Sequence, residues 1–114
     1  MSELEQIKKT FIDAAASHGE ATETGDYNRG NKQYKAIVKT YKQLKDQKGG
    51  IEALHQLMYH SNLSVQSWAA SVLLDIYTEE AEKVLQSIAD GHGLVGFSAK
   101  MTLQEWKKGN LKFG

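Results

Sequence analysis

Three residue types in this sequence could do chemistry: histidines, carboxylates and a row of lysines. Lys32, Lys35, Lys39 and Lys42 recur at steps of three and four. On a helix they fall within an arc of about 80°. Such a row can follow the phosphates of a nucleic acid, meet an acidic protein, or stay a solvated face, and the last is the commonest fate of a charged helix side. His55 and His60 are five residues apart, about 140° round a helix, and do not form a ligand pair. His92 sits between two glycines, so surface or capping roles are the simpler reading for the histidines. Glu79, Glu80 and Glu82 cluster, but at a helix start acids are favoured by the macrodipole. No serine occupies a Gly-x-Ser-x-Gly elbow. Gly91, Gly93 and Gly96 have the G-x-G-x-x-G spacing of a phosphate loop, yet they follow a predicted helix rather than a strand. They read as a helix–helix turn in which Gly96 permits close packing. No catalytic, cofactor-binding or metal-ligating residue is assigned, and the expectation is a protein that is not an enzyme and carries no cofactor.

The elements that must hold these residues are helices. The chain has no proline, so helices can run unbroken and glycines must punctuate. Leu4, Ile7, Phe11, Ala14, Ala15 and His18 mark one face of a first helix. Ser2 and Glu5 suggest a capping box, and Gly19 a stop. The polar stretch 19–31 reads as a loop running into the next helix. That helix, over about 27–47, has Tyr27, Tyr34, Ile37, Val38, Tyr41 and Leu44 as its apolar stripe. A third helix starts near Ile51, after the glycine pair 49–50. A fourth begins at Val65 with Ser64 as N-cap. It carries Val65, Trp68, Ala69, Val72, Leu73 and Ile76. A fifth begins at Thr78, with Ala81, Val84, Leu85 and Ile88 as its buried face. The sixth runs over about 94–108.

Bulk properties bound the class. The 114 residues suit one domain. With no cysteine, disulfides, thiolate zinc sites and cysteine nucleophiles are excluded. No run approaches the roughly 20 apolar residues of a membrane span, and the first twenty residues lack a signal-peptide core. The expectation is a soluble cytoplasmic protein with no membrane partner. Net charge is zero, which weighs against a dedicated nucleic-acid binder. The charge is uneven, however: residues 27–50 hold seven bases and one acid.

A shift of 30 residues superposes the pattern of the C-terminal half on itself. Leu54 meets Val84, Met58 meets Ile88, Val65 meets Val95, Ala69 meets Ala99 and Leu73 meets Leu103. Two helix pairs of this length are what a stacked helical solenoid requires. The stretch Val65-Gln66-Ser67-Trp68-Ala69-Ala70, after the turn at 61–64, resembles the second helix of a HEAT-like (armadillo-type) repeat. That family often has Arg where this chain has Gln66, so the turn-bracing role of the Arg is not carried over. Together with Gly96–Leu103 and Glu105–Gly109, the stretch resembles a small family of uncharacterised bacterial HEAT-like domains. The likeness covers roughly residues 50–110 and implies a fold but no chemistry. Small residues at 69, 70 and 99 let helices approach closely, and Trp68 fills the groove they leave. A tryptophan so buried contributes roughly 3–5 kcal/mol by truncation.

The resulting expectation is an all-α single domain of five to six helices in a short right-handed superhelix. Residues 1–48 would form an N-terminal helix pair and 51–108 two HEAT-like repeats. The expected function is that of a non-enzymatic scaffold that recognises another macromolecule, most readily a protein, with the lysine row suited to an acidic one. A sharper version is an immunity protein neutralising a cognate bacterial toxin, and the alternative is a nucleic-acid binder using the lysine face. The residues expected at the partner are Lys32, Lys35, Lys39 and Lys42, with Gln66, Asp75, Lys100 and Gln104 from the second helices of the repeats. Oligomeric state is left open.

Overall fold

The computed structural model describes residues 2–113, and among them it contains six α-helices and no strand. In order they are α1 (Glu3–Thr24), α2 (Tyr27–Asp46), α3 (Gly50–Leu57), α4 (Leu63–Val72), α5 (Thr78–Ala89) and α6 (Gly93–Lys107). The all-α class and the helix number agree with the sequence. Among the described residues no helix is long and apolar enough to cross a membrane. The chain divides into two compact units, residues 1–56 and 57–114.

In the first unit α1 and α2 pack along each other. Ser2 caps α1, its hydroxyl accepting from the Glu5 amide at 3.1 Å. The helix does not stop at Gly19, which lies buried in its interior. It continues to Thr24 and ends in a Schellman motif on Gly25, whose φ is 72°. The Asp26 amide donates to the Ala21 carbonyl and the Gly25 amide to the Thr22 carbonyl. The expected loop therefore shrinks to residues 25–26. Tertiary burial outweighs the roughly 1 kcal/mol that a helical glycine costs. Asp26 then caps α2 by accepting from the Arg29 amide. The core between the two helices contains Phe11, Ala14, Ala15, Ile37, Tyr41 and Leu44.

Tyr27 and Tyr34 do not join that core: they are 83% and 36% exposed. Helical side chains lean over the turn preceding them, and Tyr27, the first residue of α2, has no preceding turn to cover. His18 is half-buried on α1, and burial pushes its imidazole below the ordinary histidine value. Above the unfolded value of about 6.5 neither state holds the proton, and this residue adds no pH dependence. As pH falls through that value the unfolded chain protonates first, so stability drops until the folded pKa is passed. Urea unfolding at pH 7.5 and 5.5 should show a larger loss for the wild type than for His18→Gln. Equal losses would contradict the assignment.

In the second unit α4 packs on α5 and α6, and α5 on α6. The cap of α4 is Asn62, not Ser64: the Asn62 Oδ1 accepts from the amides of Ser64 and Val65 at 2.9 and 3.2 Å. Asparagine and serine are near-equal caps; here Leu63 is already helical, which puts Ser64 inside the first turn. Nor does α4 reach Ile76. Bonds from the Leu73 and Leu74 amides to Ala70 and Ser71 tighten the chain into turns. Leu73 and Leu74 stay buried while Ile76 emerges 44% exposed. Trp68 is only half-buried. Its ring meets Phe113 edge-on at 6.2 Å between centroids, so the truncation cost expected for a fully buried tryptophan is too high here. The Ala69 and Ala99 expectation fares better, both being 0% exposed. Gly96 is buried at a close approach: a Cβ there would lie 2.8 Å from the Gly91 carbonyl oxygen and 3.1 Å from that of Ile88.

Candidate binding surfaces

The lysine row depends on how α2 is held. Ile37, Val38, Tyr41 and Leu44 take one side into the core. Thr40, also buried, satisfies its hydroxyl on the Ala36 carbonyl at 2.8 Å. Near the start of α2, Arg29 reaches back to α1, donating from Nε to the Ser17 hydroxyl at 3.0 Å and from Nη2 to Glu20 at 2.7 Å. This half-exposed tie contributes at most about 1 kcal/mol. The remaining side of α2 carries Lys32, Lys35, Lys39 and Lys42, all exposed. Among the described residues none of the four is in an ion pair. From the first to the last the row extends about 15 Å along the helix. Lys45, on a different side, lies 5.9 Å from the centroid of the Tyr41 ring.

The second surface is an open groove between α5 and α6. One part, about 380 Å³, is lined by Gln86, Asp90, Lys100, Leu103, Gln104 and Lys107 together with Ala89. An adjoining part adds Glu79, Glu82 and Lys83. The Gln86 amide nitrogen donates to Asp90 at 2.8 Å. The groove thus offers both signs of charge and an aliphatic floor at Leu103, a combination suited to contacting polar side chains.

The contact residues expected in the second unit differ in their surroundings. Lys100 and Gln104 share the groove. Gln66 is half-buried on α4. Asp75 is exposed, but it lies in the turn after α4 rather than on that helix, because the helix ends at Val72. Two of the histidines have turn and cap positions: His60 Nδ1 accepts from the Asn62 amide at 3.0 Å and so braces a turn, and His92 is an exposed N-cap without a side-chain cap bond. Among the described residues no three His, Asp or Glu side chains gather to hold a metal ion. Gly91–Gly96 forms the turn and first residues of α6, with Gly93 at φ 91°.

Sequence reasoning missed two arrangements. The Tyr59 hydroxyl donates to the Glu80 carboxylate, fastening the turn after α3 to the start of α5. That bond, then burial, then the carboxylate charge raise the Tyr59 phenol above its ordinary value. The pair is 21 residues apart, and nothing local signals it. The other is an apolar stripe on the outside of α6: Leu94, Phe97 and Met101 are 44%, 62% and 40% exposed. Their spacing of three and four is legible in the sequence, but periodicity does not say whether an apolar face is covered.

Residues 5–106 match a family model described as a domain of unknown function, DUF2019. No curated protein and no solved structure matches the chain.

Proposed function

We propose that this chain, which belongs to the DUF2019 family, is a non-enzymatic cytoplasmic scaffold that recognises a protein partner with an acidic surface. The observation that carries this reading is the row of four exposed lysines on α2, none of them in an ion pair among the described residues. The opposite side of that helix is fixed in a core, so the charges are presented from an ordered backbone and little ordering is needed on binding. Charge complementarity of this kind speeds encounter and selects partners. A HEAT-like arrangement belongs to the same proposal. It is supported by the 30-residue shift, which carries the first residue of α4, Leu63, onto the first residue of α6, Gly93. The shift also pairs buried Leu54, Met58, Ala69 and Leu73 with buried Val84, Ile88, Ala99 and Leu103. Neutralisation of a toxin is the sharpest form of the reading, and it requires a tight one-to-one complex.

The test uses wild type and Lys35→Glu/Lys39→Glu as baits in native lysate at low salt. One protein should be recovered stoichiometrically with the wild type and at least tenfold less with the double reversal. Both side chains are exposed, so circular dichroism should be unchanged. Recovery of no stoichiometric protein would contradict the proposal. Duplex or single-stranded DNA binding that the reversal abolishes would move the lysine row to nucleic acid instead.

A further inference from the structure

We propose that the outer face of α6 is a docking site for an amphipathic helix of the protein partner, one that carries acidic residues beside its apolar stripe. The proposal rests on the protein-binding reading above but uses none of the α2 lysines.

Leu94, Phe97 and Met101 lie within about 60° of one another round α6. The residues that α6 buries, Gly96, Ala99 and Leu103, are on the opposite side. The helix is thus apolar on two faces, a pattern expected where a helix is covered on both, yet one face is open. The spacing i, i+3, i+7 is that of anchors between two helices.

The corresponding face of α4 shows what the open face lacks. A shift of 30 residues places Ser64, Ser67 and Ser71 where α6 has Leu94, Phe97 and Met101. In α4, which packs against α5 and α6, Ser64 and Ser71 are buried and Ser67 is half-buried. The position that holds small, covered residues in one helix holds large, uncovered apolar residues in the other. Three large side chains in place of three hydroxyls supply the contact area that a separate helix needs to bind.

Charge indicates the character of that helix. Lys100 is exposed about 60° round from Phe97. Lys108 is exposed where the stripe would continue beyond Met101. Glu105, the sole acid of α6, is 3.9 Å from Lys108, and Lys100 is in no ion pair among the described residues. The stripe is therefore bordered by excess positive charge, which complements acidic edges and repels basic ones.

The probe is a fluorescein-labelled helical peptide of about five turns, with leucines at i, i+3 and i+7 and glutamates beside them. Two comparison peptides carry lysine edges or a scrambled order. Wild type should bind the glutamate-edged peptide at least tenfold more tightly than either. Phe97→Ser/Met101→Ser, which installs the residues α4 has at these places, should lose at least tenfold while circular dichroism stays unchanged. Lys100→Glu/Lys108→Glu should reverse the preference toward the lysine-edged peptide. Lys35→Glu/Lys39→Glu should bind like the wild type, so failure here and failure of the lysate experiment are distinguishable. Absence of binding up to millimolar peptide, or binding indifferent to Phe97→Ser/Met101→Ser, would overturn the proposal. So would a wild-type dimer in sedimentation that this double variant dissolves, because the face would then belong to a second copy.

Discussion

Phe11→Ala should cost about 3–5 kcal/mol of unfolding free energy, the usual range for emptying a buried phenylalanine site. Phe11 is 0% exposed and lies on α1, the helix that packs along α2. Truncation would remove its transfer energy and leave a cavity. The surroundings are poorly placed to collapse into it, because α1 and α2 are long, pack on each other and are joined by residues 25–26 alone, so one turn cannot move in without its neighbours. In thermal unfolding the midpoint should fall by more than roughly 10 °C. Phe97→Ala supplies the control. Phe97 is 62% exposed, and its loss should change stability by no more than about 0.5 kcal/mol. Similar costs for the two would mean that the core between α1 and α2 is not where the structure places it.

Gly50→Ala should also be strongly destabilising, by about 3 kcal/mol, at the upper end for overpacking. A Cβ on Gly50 would lie 1.7 Å from the Leu44 carbonyl oxygen and 2.5 Å from its carbon. Both are backbone atoms, so no side-chain rotation relieves the overlap and the corner between α2 and α3 must open. That corner is held by the Gly50 amide donating to the Gln47 carbonyl at 3.0 Å. It sits between Leu44 and Leu54, both 0% exposed, so opening it disturbs core packing on either side. The roughly 1 kcal/mol by which alanine favours a helix over glycine does not offset this. Gly30 is the contrasting site: its Cβ would meet only the Ala21 side chain, at 4.0 Å. Gly30→Ala should be neutral or stabilising by up to about 1 kcal/mol. Urea titrations of both variants decide the matter, and equal midpoints would contradict the tight corner.

Much of the fold was legible because helical periodicity and capping act locally. The span of α2, the Ser2 cap of α1, the Thr78 start of α5 and the turn around Gly91 and Gly93 all follow from spacing and termini. Errors arose where tertiary packing overruled a local signal. Gly19 looks like a stop, but its burial keeps α1 going to a second glycine with the left-handed conformation a stop needs. Ile76 keeps the period of α4, but the tightened turns after Val72 take it and Asp75 out of the helix. Tyr27 keeps the period of α2 and lies before any turn that could cover it.

The candidate surfaces were legible in part. The lysine row could be read because the spacing of charge along one side of a periodic helix is a property of the sequence itself. Lys100 and Gln104 were identified as residues, but the groove they share with Gln86 and Asp90 depends on how α5 and α6 pack. The outer stripe of α6 is the reverse case. Its residues were in plain view, and only their exposure, a property of the folded chain, separates a docking face from more core.

On the proposed function, the α2 lysines touch the partner. Lysine-reactive footprinting, read by mass spectrometry, tests it most directly on the free protein and on the complex recovered from native cells at low salt. Lys32, Lys35, Lys39 and Lys42 should each lose most of their reactivity in the complex, while Lys9, an exposed lysine of α1, keeps its own. Undiminished reactivity of all four in an intact complex would contradict the claim.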